Sequence, residues 1–187
     1  MRRALTAILL AAGLAAPAAR AGGAVVCVEA ESAATNEPQM VVVRDDAPPP
    51  GVKAVEGASA RAYLEIPQGA GNPPSNSAGR AVLALDLPEE GDYTVWLRVW
   101  WDDSCGNSFT VQVDGRPAFV MGEDGTYRAW HWVRHPVSRM AAPLRLAAGA
   151  HTLTILNRED GARVDQVLLS AEKRFVPVDA EKTGVRP

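Results

Sequence analysis

Between Gly91 and Gly115 the chain reads GDYTVWLRVWWDDSCGNSFTVQVDG, and its two-residue alternation commits this stretch to β-structure. Tyr93, Val95, Leu97 and Val99 fall on one face, and Thr94, Trp96, Arg98 and Trp100 on the other, as a half-buried strand requires. Phe109, Val111 and Val113 alternate with Thr110 and Gln112 in the same way. The intervening Trp101-Asp102-Asp103-Ser104-Cys105-Gly106-Asn107 is rich in turn-forming types, which predicts a β-hairpin closed by an aromatic, polar loop. An indole beside two carboxylates and an amide is a common way to hold a polar, ring-shaped ligand.

Short apolar and aromatic runs recur on both sides of that hairpin, at residues 25–31, 40–43, 62–66, 81–87, 118–121, 130–133, 144–146, 151–156 and 164–169. Gly, Pro and Asn clusters separate them, with Asp114-Gly115 and Asp124-Gly125 as turn signals. Outside the N-terminal segment no stretch has a 3.6-residue apolar period. The expectation is an all-β domain, a jelly-roll β-sandwich of two antiparallel sheets over residues 22–171. Residues 172–187 mix charge with Pro177, Gly184 and Pro187 and are expected to leave the fold as a tail.

Residues 1–21 read as a signal peptide: Arg2 and Arg3, an apolar run from Leu5 to Leu14, then the small-residue cleavage site Ala19-Arg20-Ala21. This predicts a secreted or periplasmic protein, and no later stretch reaches the roughly 20 apolar residues of a transmembrane helix. The formal charge is −3 and becomes more acidic once Arg2, Arg3 and Arg20 are removed, which argues against nucleic acid as a partner. Cys27 and Cys105 are the only cysteines, and export permits a disulfide; spacing leaves a bridge and two separate thiols equally open.

Several separated segments together resemble carbohydrate-binding modules of families 6 and 35, jelly rolls of the galactose-binding-like kind. They are Glu29-Ala30-Glu31, the run from Gly91 to Val99, Phe109 to Gly115, Trp130-His131-Trp132, Ala148 to Leu153, and Val164 to Leu169. The resemblance implies a structural calcium ion held by Glu29, Glu31 and Asp165. The chemistry suits that ion, because calcium takes six to eight oxygen ligands and alternate strand residues Glu29 and Glu31 would share a face. The other reading makes the two glutamates a solvated strand face.

The resemblance also implies a noncatalytic polysaccharide- or oligosaccharide-binding function. It points to Trp130 and to polar groups of the loop before the last strand, Asn157 and Arg163; Trp101 and Asp102 join them from the hairpin loop. Arg163 stands where family 6 modules often carry an asparagine, and its guanidinium would suit a carboxylate, which brings uronic-acid-containing polymers among the candidates. Trp96, Arg98 and Trp100 offer a second, sheet-face platform, or else an arginine stacked on tryptophan that merely covers the sheet. Trp130 and Trp132 share a face, and one of them is expected in the core. A half-buried indole contributes about 2 kcal/mol and two or three hydrogen bonds about 1 kcal/mol each, so one site would bind at about 0.2 mM.

No catalytic set is legible. His131 and His135 have helical spacing in a strand-like segment, which argues against a zinc pair. His151 reads as structural, and Arg158-Glu159-Asp160-Gly161 as a charged turn, not a glycosidase carboxylate pair. The rival function is a structural or adhesive exported domain that binds a protein, since function belongs to the site and not to the scaffold. Exposure of Trp101 discriminates the two: a sugar platform needs an open indole face.

Overall fold

The computed structural model describes residues 22–72, 79–138 and 140–186. The proposed signal peptide therefore lies outside the described residues. Among them, no helix is long and apolar enough to cross a membrane. The strands are β1 (Val25–Glu29), β2 (Thr35–Glu37), β3 (Val41–Arg44), β4 (Ala62–Glu65), β5 (Arg80–Leu87), β6 (Gly91–Trp100), β7 (Ser108–Val113), β8 (Phe119–Gly122), β9 (His131–His135), β10 (Leu144–Leu146), β11 (Gly149–Leu156), β12 (Arg163–Ser170) and β13 (Gly184–Arg186). Among the described residues the two helical pieces are single 3-10 turns, Ala30–Ser32 and Ser59–Arg61.

All strand pairings are antiparallel and they form two sheets. One sheet runs β10-β6-β12-β1-β13, with β9 also on β6 and the β3-β4 pair joined to β12. The other runs β2-β5-β11-β7-β8. The all-β sandwich expected from the sequence is thus the observed architecture. Between the sheets lies a continuous core in which Tyr93, Val95, Leu97 and Val99 of β6 meet Leu83 and Leu85 of β5, Val111 of β7 and Leu153 and Ile155 of β11.

Three local expectations are corrected. β6 and β7 do not form a hairpin, because they lie in different sheets and the loop between them crosses the sandwich. β6 instead pairs with β12, β9 and β10, which suits a strand buried on both faces from Val95 to Val99. β1 ends at Glu29, and the 3-10 turn Ala30–Ser32 takes Glu31 out of the alternation, so Glu29 and Glu31 do not share a strand face. The C-terminal residues do not leave the fold: β13 extends the larger sheet by pairing with β1, Cys27 opposite Gly184.

That return explains a second apolar cluster outside the sandwich. Val25, Cys27, Trp96 and Leu168 are buried on the outer face of the larger sheet, with Trp132 and Phe175 packed against them. Covered on both sides, β12 is buried along its whole length. Cys27 and Cys105 are both free, one buried in this cluster and the other exposed on the loop between β6 and β7. The Asp114-Gly115 signal does make a tight turn: both residues have positive φ, and the Arg116 amide donates to the Val113 carbonyl at 2.9 Å.

Candidate functional site

Four loops meet at one end of the sandwich, at residues 66–72, 101–107, 123–130 and 157–162, and the last is their common tie. The Asp160 carboxylate accepts from the Gly69 amide at 2.7 Å, and Asn157 Nδ2 donates to the Gly71 carbonyl at 3.0 Å. Glu159 accepts from the Asn107 amide at 3.0 Å and from Ser108 Oγ at 2.6 Å. Gly106 passes so close to the Asp160 carbonyl that a Cβ there would overlap it. Asn157, only 4% exposed, is therefore part of the bracing and not an open ligand for sugar. Glu159 and Asp160 are loop ties too, consistent with a charged turn.

Trp101 is 0% exposed and belongs to the sandwich core. It packs against Phe109 and His131, each with ring centroids at 5.9 Å, and its indole N–H donates to Asp124 Oδ1 at 3.2 Å. The expected sugar platform at this residue is thus overturned, and the burial is the outcome that the structural or adhesive reading expects of this loop, so a glycan site has to be sought at other indoles. The sequence does carry a signal for this burial: Trp101 continues the odd-numbered series Tyr93, Val95, Leu97, Val99, all of which face inward.

Three indoles remain near the surface, Trp132 and the neighbouring pair Trp100 and Trp130, all half-buried. The rings of that pair meet at 5.7 Å between centroids and 61° between planes, forming a corner on the outer side of the larger sheet. The buried Tyr63 ring supports Trp130 edge-on at 5.5 Å. Trp132 does not enter the core either; it packs on the outer cluster, and its N–H donates to the Asp179 carbonyl at 2.7 Å. The expectation that one of this pair is core is corrected, because the face they share is the outer one.

Beside the corner runs a charge row dictated by strand register. Arg163 lies directly opposite Glu65 on one side and Trp100 on the other. Its Nε donates to Glu65 Oε2 at 2.9 Å and its Nη1 to Asp102 Oδ2 at 2.9 Å. Only 6% of Arg163 is exposed, so both edges of its fork are committed within the protein. This overturns its role as a receptor for a uronic acid carboxylate. Asp102 is half-exposed at the rim and also accepts from the Trp100 indole N–H at 3.2 Å. Partial burial pushes the Asp102 carboxyl upward, but the bonds from Arg163 and Trp100 outweigh it and hold its pKa below the ordinary value.

Sheet-face residues Trp96 and Arg98 are nearly closed off, at 5% and 7% exposure. Of the proposed platform, only Trp100 is left at the surface, and Arg98 lies over the Trp130 ring at 5.3 Å. A cleft of about 300 Å3 at the far end of β6, lined by Phe175 and Lys173, takes in Trp96 of the sheet-face platform but none of Trp101, Asp102, Trp130, Asn157 and Arg163. Clefts of this sort enclose small molecules, whereas an open corner lets a polymer run past.

The acids Glu29, Glu31 and Asp165 come from β1, the following 3-10 turn and β12. A bulge between Val164 and Gln166 leaves Asp165 without a register partner on β6. Asp165 is fully buried; it accepts from Arg98 and, at 3.0 Å each, from the Ser59 amide and Ser59 Oγ. The one Ser59 hydroxyl proton is shared between Asp165 and Glu29, whose other oxygen accepts from Gln166 Nε2 at 3.2 Å. Burial and the nearby charges of Glu29 and Asp165 push the Glu31 carboxyl up to about 7. Burial likewise pushes Asp165 up to about 6, against the pull of Arg98 and Ser59. The Glu31 Oε2 atom is buried without a partner, and its excess of like charge suits a hard cation. Among the described residues no three such side chains are already clustered tightly enough to hold a metal ion. Arg98 and Ser59 supply the neutralising contacts to Asp165 in this structure.

No protein-family model matches the chain, and comparison with curated proteins finds no significant relative. Solved structures do match in fold. A family 35 carbohydrate-binding module from Clostridium thermocellum has a TM-score of 0.53 at 19% identity, over 78% of this chain and 98% of that one. The C-terminal family 6 module of a marine laminarinase from Zobellia galactanivorans has a TM-score of 0.51 at 15% identity, over 78% and 98%. An exo-β-1,3-galactanase from Phanerochaete chrysosporium matches with a TM-score of 0.55 at 17% identity, over 81% of this chain but only 30% of the enzyme. The two full-length matches show that the present sandwich shares its fold with these two carbohydrate-binding modules.

Proposed function

We propose that this chain, which has the fold of family 6 and family 35 carbohydrate-binding modules, is a secreted, noncatalytic polysaccharide-binding module. Its ligand rests in the Trp100–Trp130 corner, with the Asp102 carboxylate accepting from sugar hydroxyls at the rim. The observation that carries this reading is the indole pair, half-buried at the surface and braced from beneath by Tyr63 and Arg98. Sugar rings present C–H faces to such indoles, and rigid side chains lose little entropy on binding. With Arg163 neutralised by Glu65 and Asp102, the rim favours neutral polymers, such as the β-1,3-galactan of the similar exo-β-1,3-galactanase, over polyuronates.

Native affinity electrophoresis through gels containing neutral or uronic-acid polysaccharides tests the reading. Retardation by a neutral polymer, lost in Trp130→Ala and in Trp100→Ala, is the expected result. Migration unchanged in every gel overturns it and favours the protein-binding role.

Calcium enters the same proposal as a structural ion, held by Glu29, Glu31 and Asp165. Supporting it are the partnerless Glu31 oxygen and the concentration of carboxylates with hard oxygen donors. At a calcium concentration about 100-fold above Kd the ion adds roughly 2.7 kcal/mol, equivalent to about 5–10 °C in Tm for a domain of this size. Calorimetry in calcium and in chelator should show that shift, and Glu31→Gln should remove it. Equal midpoints in the two buffers would remove the ion from the proposal.

A further inference from the structure

Trp130 is not fixed by its own strand, since it precedes β9. Its indole N–H donates to the Glu56 carbonyl at 2.9 Å, so its orientation depends on residues 55–59, a segment of irregular backbone passing over the outer face of the sheet. That segment is itself pinned at three points. The Val55 amide donates to the Tyr63 hydroxyl at 3.0 Å, the Gly57 carbonyl accepts from Arg98 Nη1 at 3.2 Å, and the Ser59 amide donates to Asp165 Oδ1 at 3.0 Å. Arg98 touches the assembly from every side: it holds Gly57, pairs with the buried Asp165, and lies 5.3 Å from the Trp130 ring centroid.

The geometry points to Arg98 as the positioning residue of the aromatic corner, joining the buried carboxylate of Asp165 to the orientation of Trp130. This rests on the proposed glycan site and goes beyond it, because Arg98 is 7% exposed and is not itself available to a polymer. Three properties of its guanidinium are used together: a permanent charge for Asp165, a donor directed at a backbone carbonyl, and a flat face against an indole. A lysine keeps the first and lacks the flat face and the directional fork. Trp130 would then sample more orientations when unliganded, and ordering it would be charged to binding.

Arg98→Lys is the informative variant. Its expected signature is a cooperative unfolding transition like that of the parent, a roughly tenfold weaker retention on the polymer that retards the parent, and faster solvent exchange of the Trp130 indole proton by 15N NMR. Parent-like retention together with an unchanged Trp130 indole resonance overturns the assignment. Should Arg98→Lys fail to fold, Arg98→Gln keeps a donor for Asp165, leaves the three proposed calcium ligands in place and is read by the same two measurements. If the parent binds no polymer at all, the glycan reading falls, while the indole exchange rate still decides whether Arg98 positions Trp130.

Discussion

Trp100 and Trp101 are neighbours in sequence with opposite fates: one helps form the surface corner and the other is sealed in the core. Alternation along β6 is enough to explain this, since it sends even positions outward and odd ones inward through to residue 101. Treating Trp101 as the first loop residue concealed that parity. His151 shows the complementary case, a residue whose local setting was legible. Its Nδ1 lies 2.6 Å from Asp114 Oδ2 and its Nε2 3.0 Å from the Ala147 carbonyl, so both ring nitrogens face acceptors. Burial pulls the His151 pKa down, but these partners outweigh it and the net direction is upward. Because the folded protein holds this proton more tightly than the unfolded chain, the contribution is full below the unfolded value near 6.5 and fades as pH rises through the folded one. Asp114 titrates in the opposite sense: burial raises its carboxyl, the Thr152 amide and His151 more than compensate, and its contribution is lost as pH falls through the depressed value. His151→Gln should therefore cost about 1–2 kcal/mol at pH 5 and progressively less above neutrality. Urea denaturation of both proteins across that range checks it; a pH-independent difference would contradict the assigned pair.

At the scale of elements, alternation reports which residues share a face but not which strand lies alongside. The long strands β5, β6, β11 and β12 were visible for the first reason, and the false hairpin between β6 and β7 arose from the second. A loop of seven residues can either close a hairpin or cross a sandwich, and the choice is made by partners distant in sequence. β2 and β13 are three residues each and, unlike the equally short β10, lack the paired leucines that mark a run. The site is less legible than the fold for a related reason: the sequence shows a charged residue at Arg163 but not its cross-strand partner Glu65, which only the register supplies. β13 has a directly measurable effect through Cys27, its neighbour on β1. Burial and the charge of Glu29 push the Cys27 thiol up to about 12, so it is both enclosed and protonated near neutral pH. Native alkylation at pH 8 should modify Cys105 alone, and a chain ending at Lys182 should become reactive at Cys27 as well. Mass spectrometry showing one modified cysteine in both proteins would mean that β13 does not guard the thiol.

Across the whole molecule, the first and last described strands meet in one sheet: β1 lies between β12 and β13, and β12 also carries β6 and β4. The larger sheet therefore cannot be assembled from the first part of the chain, because the strand that joins its pieces arrives after residue 162. Closing such distant pairings costs chain entropy before the contacts repay it, which places refolding in the slow, millisecond-to-second regime of β-sandwiches. The same topology makes stability an all-or-none property of the assembled layers. Without β12, the inner face of β6 loses Val164, Val167 and Leu169 from its surroundings, and β1 loses its main partner. At about 1.5–3 kcal/mol for each such buried side chain, the missing core contribution is comparable with the entire 5–15 kcal/mol stability of a typical domain. A chain ending at Ala162 should consequently show no near-UV circular dichroism and no cooperative thermal transition, whereas one ending at Ala171 should retain both at a reduced midpoint. A cooperative transition in the shorter chain would mean that the smaller sheet with β6 forms an independent unit, contrary to the placement of β12 as the joining strand.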